Sequence, residues 1–260
     1  MKSRRWQVAL VLCFLSGCAA ERAVLGFASD RPPASEARPK AKTAKLPPFG
    51  PPIVQVSAPE PALPPWTVPL PEPSQVLKST LSATELFKKV GPAVYAVLGQ
   101  GTEKVTSQGS AVAVSAKEAI TNCHVVAQAK VITLANATTT LRAEVIAADR
   151  KTDRCYLRVL DGELEPVPGV RNYAALAVGE AVFTIGSPKG LVNTLGHGLL
   201  SGLRRSEDEI EYIQITAPVS EGSSGGGVFD DRGNLIGVTT FTIRDGQNLN
   251  FAIAASHFWR

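Results

Sequence analysis

The sequence predicts an all-β domain, a sandwich or barrel in two similar halves, at the end of a proline-rich lead-in. Short β-rich runs recur at regular spacing from residue 93 to residue 256. Gly, Asn, Asp and Pro punctuate them, and no long amphipathic helix interrupts them.

The first element is a leader. MKSRRWQVALVLCFLSGCAA is a basic end, a short apolar run and then small residues around Cys18. The run is too short to span a bilayer, so residues 1–17 are expected to form a signal peptide. LSGC at 15–18 resembles the bacterial lipobox. That resemblance implies that Cys18 is lipidated and becomes the first mature residue. Ala19 and Ala20, with no Asp beside the cysteine, imply the outer membrane and its periplasmic face. Several acyl chains on one residue suffice for stable anchoring.

Arg31 to Pro73 is dense in proline (RPPASEARPK, KLPPFGPPIV, APEPALPPWTVPLPEP). Proline fixes φ, removes a donor and favours an extended chain, so residues 18–78 are expected to be a disordered, semi-rigid tether without a core. The 260 residues are 44% hydrophobic, enough for one large core or two small ones. The net charge is +4, but Lys2, Arg4 and Arg5 belong to the leader and the remainder is nearly neutral. Such a balance argues against a nucleic-acid partner.

The folded domain is expected over residues 79–260. SATELFKKVGPAV begins with a helix cap, Ser82 or Thr84 ahead of Glu85, and ends at Gly-Pro. Strand-like runs follow at 93–99, 109–116, 118–126, 130–136, 141–149 and 154–160. A second set occupies 180–188, 196–205, 210–216, 227–243 and 249–256, with the break near 161–175. Alternating runs such as TTFTI suit a barrel wall with one buried face.

Three weak signals carry chemistry. His124 lies in AITNCHVV, at the end of an apolar strand-like run, and a lone strand-end histidine is more often structural. Asp153, in AADRKTDRCYLRVL, has the place of an ordinary turn residue. Ser224 lies in EGSSGGGVF, which composition alone would class as a linker. Their order and context are more specific. TNCHVV, DRKTDRCYLRV and GSSGGGVFDDRGNLIGV, with LAVGEAVFTIGSPKG and LNFAIAAS, resemble five segments of the trypsin-like serine peptidases. The similarity is greatest to the HtrA/Deg type of the bacterial envelope and covers roughly residues 80–260.

The resemblance implies two six-stranded β-barrels, about 92–162 and about 175–256, with the site in the cleft between them. It implies hydrolysis of peptide bonds in protein or peptide substrates, in protein quality control or regulated proteolysis, with no cofactor and no metal. Ser224 would be the nucleophile, His124 the base and Asp153 the residue that orients the imidazole. The Gly222 and Ser224 amides, with Ser223 between them, would form the oxyanion hole. The family's PDZ domain is not expected, because the sequence stops at Arg260 directly after the barrel. Ser223 replaces the aspartate that pancreatic-type relatives pair with a newly cut N-terminus, so activation by N-terminal cleavage is not expected. One pocket wall would come from Thr216, Pro218, Val219 and Ser220, the other from Thr239, Thr240 and Phe241. Pro218 stands where an acidic pocket base would select Lys or Arg, so a small or medium apolar side chain is expected there.

An assembled triad would bring Cys123 and Cys155 near each other, and a disulfide between them would staple the histidine and aspartate segments. The alternative is two buried free thiols. His197 and His257 lack metal-ligand spacing. A rival to the enzyme is a catalytically silent, protease-like lipoprotein that binds peptides or scaffolds a partner.

Overall fold

The strand-like runs close on themselves twice in the computed structural model. The structure describes residues 76–101, 105–188, 191, 193–242 and 248–259. The signal peptide, Cys18 and the proline tract to residue 75 lie outside the described residues. Strands β1 (Val94–Gln100), β2 (Val105–Ala113), β3 (Glu118–Thr121), β4 (Val131–Ala135), β5 (Thr140–Asp149) and β6 (Arg154–Val159) form one closed barrel in the order β1-β2-β3-β6-β5-β4. Strands β7 (Ala181–Gly186), β8 (Thr194–Arg205), β9 (Glu211–Ile215), β10 (Gly227–Asp230), β11 (Leu235–Thr242) and β12 (Asn250–Ala254) form a second, ordered β10-β11-β12-β9-β8-β7. Read from its own first strand, each ring has the same neighbour order, so the two halves share one antiparallel topology. Closure leaves no exposed sheet edge.

Period-two patterning shapes part of the walls, while β10 and β12 are buried throughout. In β5, Leu141 and Ala143 are buried while Thr140, Arg142 and Glu144 face solvent. One apolar cluster fills the first barrel around Val97, Leu134 and Leu157, and another fills the second around Leu200, Ile213 and Ile236. A third lies between them, where Ile120 and Tyr156 from the first meet Phe229 and Val238 from the second. Helix α1 (Ala83–Val90) closes this seam with Leu86 and Val90, one turn apart and both fully buried. Ser82 is its cap: Glu85 N–H donates to the Ser82 hydroxyl, and the Ser82 N–H donates back to the Glu85 carboxylate.

Polar ties reinforce the seam. The buried Tyr156 hydroxyl donates to the Phe258 carbonyl at 2.9 Å, and the Arg154 guanidinium reaches the His257 carbonyl and Asp149. The C-terminal turn of the second half is thus strapped to β6 of the first. Asn234 grips the lead-in where it arrives: it accepts from the Leu77 N–H at 2.6 Å and donates to the Leu77 carbonyl at 3.0 Å.

Two local expectations differ from the structure. The run over 118–126 is strand only to Thr121, and Cys123–Val126 forms a single helical turn, α2. In that turn Cys123, Val125 and Val126 are buried while His124 is not. Strand alternation could not produce this pattern, because Val126 would share a face with His124. TTFTI has no single buried face either. Thr239 and Thr240 are both buried, because one hydroxyl serves the loop before β10 and the other serves the first barrel.

Candidate active site

The helical turn α2 carries His124 to the end of β3, beside the start of β6. Asp153 precedes β6 with φ 56°, a left-handed conformation that aspartate tolerates better than most residues. The bend lets both ends of the residue work. Its carbonyl accepts from Asn122 Nδ2 at 3.1 Å and from the Cys123 N–H at 3.4 Å. Its carboxylate accepts from the His124 N–H (3.0 Å), His124 Nδ1–H (2.8 Å) and the Thr240 hydroxyl (3.1 Å). With Nδ1 donating, Nε2 is left as the acceptor that a base requires. Partial desolvation of the ring, about half of which stays exposed, disfavours its charged form. The hydrogen bond and negative charge of Asp153 outweigh that effect and hold the imidazole above its ordinary value.

Cys123 and Cys155 form a disulfide with Cα atoms 4.9 Å apart. It ties the residue before His124 to the residue two beyond Asp153. Of the alternatives open in the sequence, the structure takes the bridge and not the free thiols.

Ser224 arrives from the second barrel, in the loop between β9 and β10. Gly222 and Gly225 there have φ of 89° and 85°, and a Cβ at Gly225 would lie 1.9 Å from the Ser110 carbonyl oxygen. Glycine is therefore a requirement at Gly225, both for the backbone bend and for contact with β2. The loop is not slack: Ser223 N–H donates to the Ser220 carbonyl, Gly225 N–H to Thr239 and Gly226 N–H to Ser223, at 2.8–2.9 Å. The Gly222 and Ser224 amides donate to no acceptor among the described residues. The Ser224 hydroxyl donates to the Thr240 carbonyl at 3.1 Å and, among the described contacts, not to His124.

The expected pocket residues separate. A cavity of about 280 Å³ takes Pro218, Ser220 and Thr239 into its wall with Ser223, Ile185 and Leu195. Thr216 instead accepts from the Leu199 N–H, Val219 packs against the core of the second barrel, and Phe241 stacks on Phe251 at 5.0 Å. Thr240 turns its hydroxyl to Asp153 and its carbonyl to Ser224. That double role carried no signal in the sequence, and neither did the contact of Ser110 with the Gly222–Ser224 loop. His197 stacks on Phe183 at 4.7 Å.

A family model described as a trypsin-like peptidase domain matches residues 109–238, half of the chain, and that stretch spans His124, Asp153 and Ser224. The chain belongs to the trypsin-like peptidase family. Among family relatives, it is 39% identical over 132 residues to Protease Do-like 1, chloroplastic, of Arabidopsis thaliana, covering 46% of this chain and 30% of that protein. It is 32% identical over 161 residues to the "Probable periplasmic serine endoprotease DegP-like" of Pseudomonas fluorescens, covering 60% and 34%. The chain thus spans about a third of the length of these relatives. A solved HtrA-type protease, AlgW with a tripeptide, matches with a TM-score of 0.62 and 28% identity, over 68% of this chain and 61% of that one.

The disulfide yields a measurable expectation. Closing a loop of 32 residues stabilises the fold by about 3–4 kcal/mol in the chain-entropy picture. A Cys123→Ala/Cys155→Ala variant should therefore unfold at a clearly lower urea concentration than the oxidised protein. Equal midpoints for the two would show that the bridge constrains nothing.

Proposed function

We propose that this protein is a serine endopeptidase of the bacterial cell envelope, with Ser224 as nucleophile, His124 as general base and Asp153 as the group that orients the imidazole. One observation carries the reading. The 2.8 Å bond from His124 to Asp153 leaves Nε2 as an acceptor, and the amides of Gly222 and Ser224 have no acceptor among the described residues.

The reaction follows from these atoms. The Ser224 side chain rotates from the Thr240 carbonyl toward Nε2, and its oxygen attacks the peptide carbonyl carbon while its proton passes to His124. The imidazolium is stabilised by Asp153. The negative charge on the former carbonyl oxygen meets the Gly222 and Ser224 amides, with Ser223 holding the curl between them. Collapse breaks the C–N bond, and His124 gives its proton to the leaving amine. Water then attacks the acyl-serine ester, His124 accepts its proton, and collapse returns that proton to Ser224 as the carboxylic acid leaves.

Substrates are proteins or peptides, with a small or medium apolar side chain before the scissile bond. The absence of an acidic group at Pro218 and the Thr, Pro, Ile and Leu lining of the adjoining cavity support this preference. Anchoring is through lipid on Cys18, with the proline tract as the spacer from the membrane. The periplasmic relative and the lipobox-like LSGC support this location. The Ser224–Thr240 bond is the one observation that favours a silent peptide-binding protein, and labelling of the serine discriminates the two.

A fluorophosphonate probe should label the protein at Ser224, and labelling should vanish in Ser224→Ala and nearly vanish in His124→Ala. No labelling of the wild type under any condition would leave the binding reading. The acid limb of kcat/KM should lie above the ordinary imidazole value near pH 6.5, because Asp153 raises His124 and only the neutral ring can accept a proton. In Asp153→Asn the negative charge that raises His124 is lost, so the limb should move to lower pH, while kcat falls on the order of 10⁴-fold. Digestion of a peptide library should give cuts after Ala, Val and similar residues; cuts confined to Lys and Arg would refute the pocket assignment. Labelled palmitate fed to an expressing bacterium should enter the full chain and not Cys18→Ser, and equal labelling of both would rule out the anchor.

A further inference from the structure

Ser110 lies in β2 of the first barrel, fully buried and 112 positions before its partner in the nucleophile loop. Each of its polar groups is engaged. Its N–H donates to the Ser224 carbonyl at 2.8 Å, and its carbonyl accepts the Thr121 hydroxyl at 2.7 Å. Its own hydroxyl donates to the Gly222 carbonyl and accepts from the Ser187 N–H, both at 2.9 Å. One side chain of the first barrel therefore bridges two segments of the second, the loop before β10 and the residue just after β7.

The Gly222 carbonyl is the informative partner. Glycine has no Cβ to restrict its backbone, so the peptide plane between Gly222 and Ser223 needs an external restraint. Two bonds supply it: the Ser110 hydroxyl on the oxygen side and the Ser220 carbonyl on the Ser223 N–H side, at 2.9 Å each. Held on both edges, the plane cannot turn over, and the Gly222 and Ser224 amides on either side of it stay unpaired.

We infer that Ser110 is a positioning residue, whose buried hydroxyl holds the Gly222 peptide plane so that the oxyanion-binding amides are in place before substrate arrives. The inference rests on the peptidase reading above for its catalytic consequence, but not for the restraint itself. Removing the hydroxyl strands two buried groups, the Gly222 carbonyl and the Ser187 N–H, and these regain partners only if the loop shifts. His124 and Asp153 take no part in the network, so the base is left unchanged.

The test compares wild type, Ser110→Ala and Ser110→Cys, the last keeping the size of the side chain while replacing a strong donor with a weak one. Peptide hydrolysis far below the melting temperature should show kcat reduced about 10²-fold, as a misplaced catalytic group typically costs, with KM within about threefold. The acid limb of the pH profile should not move, and a peptide boronate that mimics the tetrahedral intermediate should lose affinity in parallel with kcat. Ser110→Cys should fall between the other two. Hydrogen exchange in the peptide covering residues 218–228 should rise in both variants, with the β-barrel peptides remaining protected. An inactive, unlabelled wild type refutes the peptidase reading, yet the exchange result still reports on the restraint. Folded variants with wild-type kcat and unchanged exchange at 218–228 would overturn the proposal, whatever their loss of thermal stability.

Discussion

The hydrogen bond from the Ser110 amide to the Ser224 carbonyl joins the two barrels at the point where their relative placement matters most. His124 and Asp153 are carried by one barrel and Ser224 by the other, so every distance between the proposed base and the proposed nucleophile is a distance between barrels. A closed barrel is internally stiff, because each strand is paired on both sides. Error in the site therefore accumulates at the seam and not within either half. The seam is accordingly secured by different means along its length: apolar packing of Phe229 and Val238 against Ile120 and Tyr156, the Tyr156–Phe258 bond, and the Ser110 network at the cleft. Packing sets the spacing of the barrels, and the directional bonds set their rotation.

Asp153 shows how strain and restraint are combined. Its left-handed backbone costs on the order of 1–2 kcal/mol relative to an ordinary conformation. The cost is offset by what the bend makes possible, since carbonyl and carboxylate both receive donors from the segment Asn122–His124. Thr240 adds a donor from the second barrel, so Asp153 is held by both barrels. The Cys123–Cys155 bridge lies directly behind this arrangement and prevents the two segments from drifting apart when the local hydrogen bonds open.

Local chemistry was legible in the sequence, and long-range chemistry only where family likeness supplied it. The helix cap could be narrowed to Ser82 or Thr84 because a cap and its donor are close in sequence, and Ser82 accepts from the Glu85 N–H three residues on. The strand runs could be read because they are short, β-rich and punctuated by turn residues, with burial alternating in β4, β5 and β9. The end of β3 could not: AITNCHVV mixes apolar residues with Thr121, Asn122 and His124, and the contact that Asn122 makes at the turn is with Asp153, 31 positions away. The buried roles of Ser110 and Thr240 left no trace for the same reason. A serine or threonine in a strand has nothing in its neighbours to mark it, and their partners lie 112 and 87 positions distant. EGSSGGGVF was ambiguous by composition, since flexibility and a tight bend call for the same glycines. The contact of Gly225 with the Ser110 carbonyl, invisible locally, is what distinguishes them.

The resting position of the Ser224 hydroxyl can be weighed against the rest of the proposed site. Its bond to the Thr240 carbonyl is between neutral groups, worth about 0.5–1.5 kcal/mol net, which lowers the population of an attacking rotamer by roughly 2- to 13-fold. An oxyanion donor contributes about 10²- to 10³-fold. Giving up the Thr240 bond is therefore a small cost. The peptide planes of the nucleophile loop matter more. Ser223 brings no charge with which to lock them, so the restraint falls to neutral hydrogen bonds from Ser110, Ser220 and Thr239. Neutral bonds in a buried seam are insensitive to salt and pH, so the loop keeps its shape over the range in which His124 itself titrates.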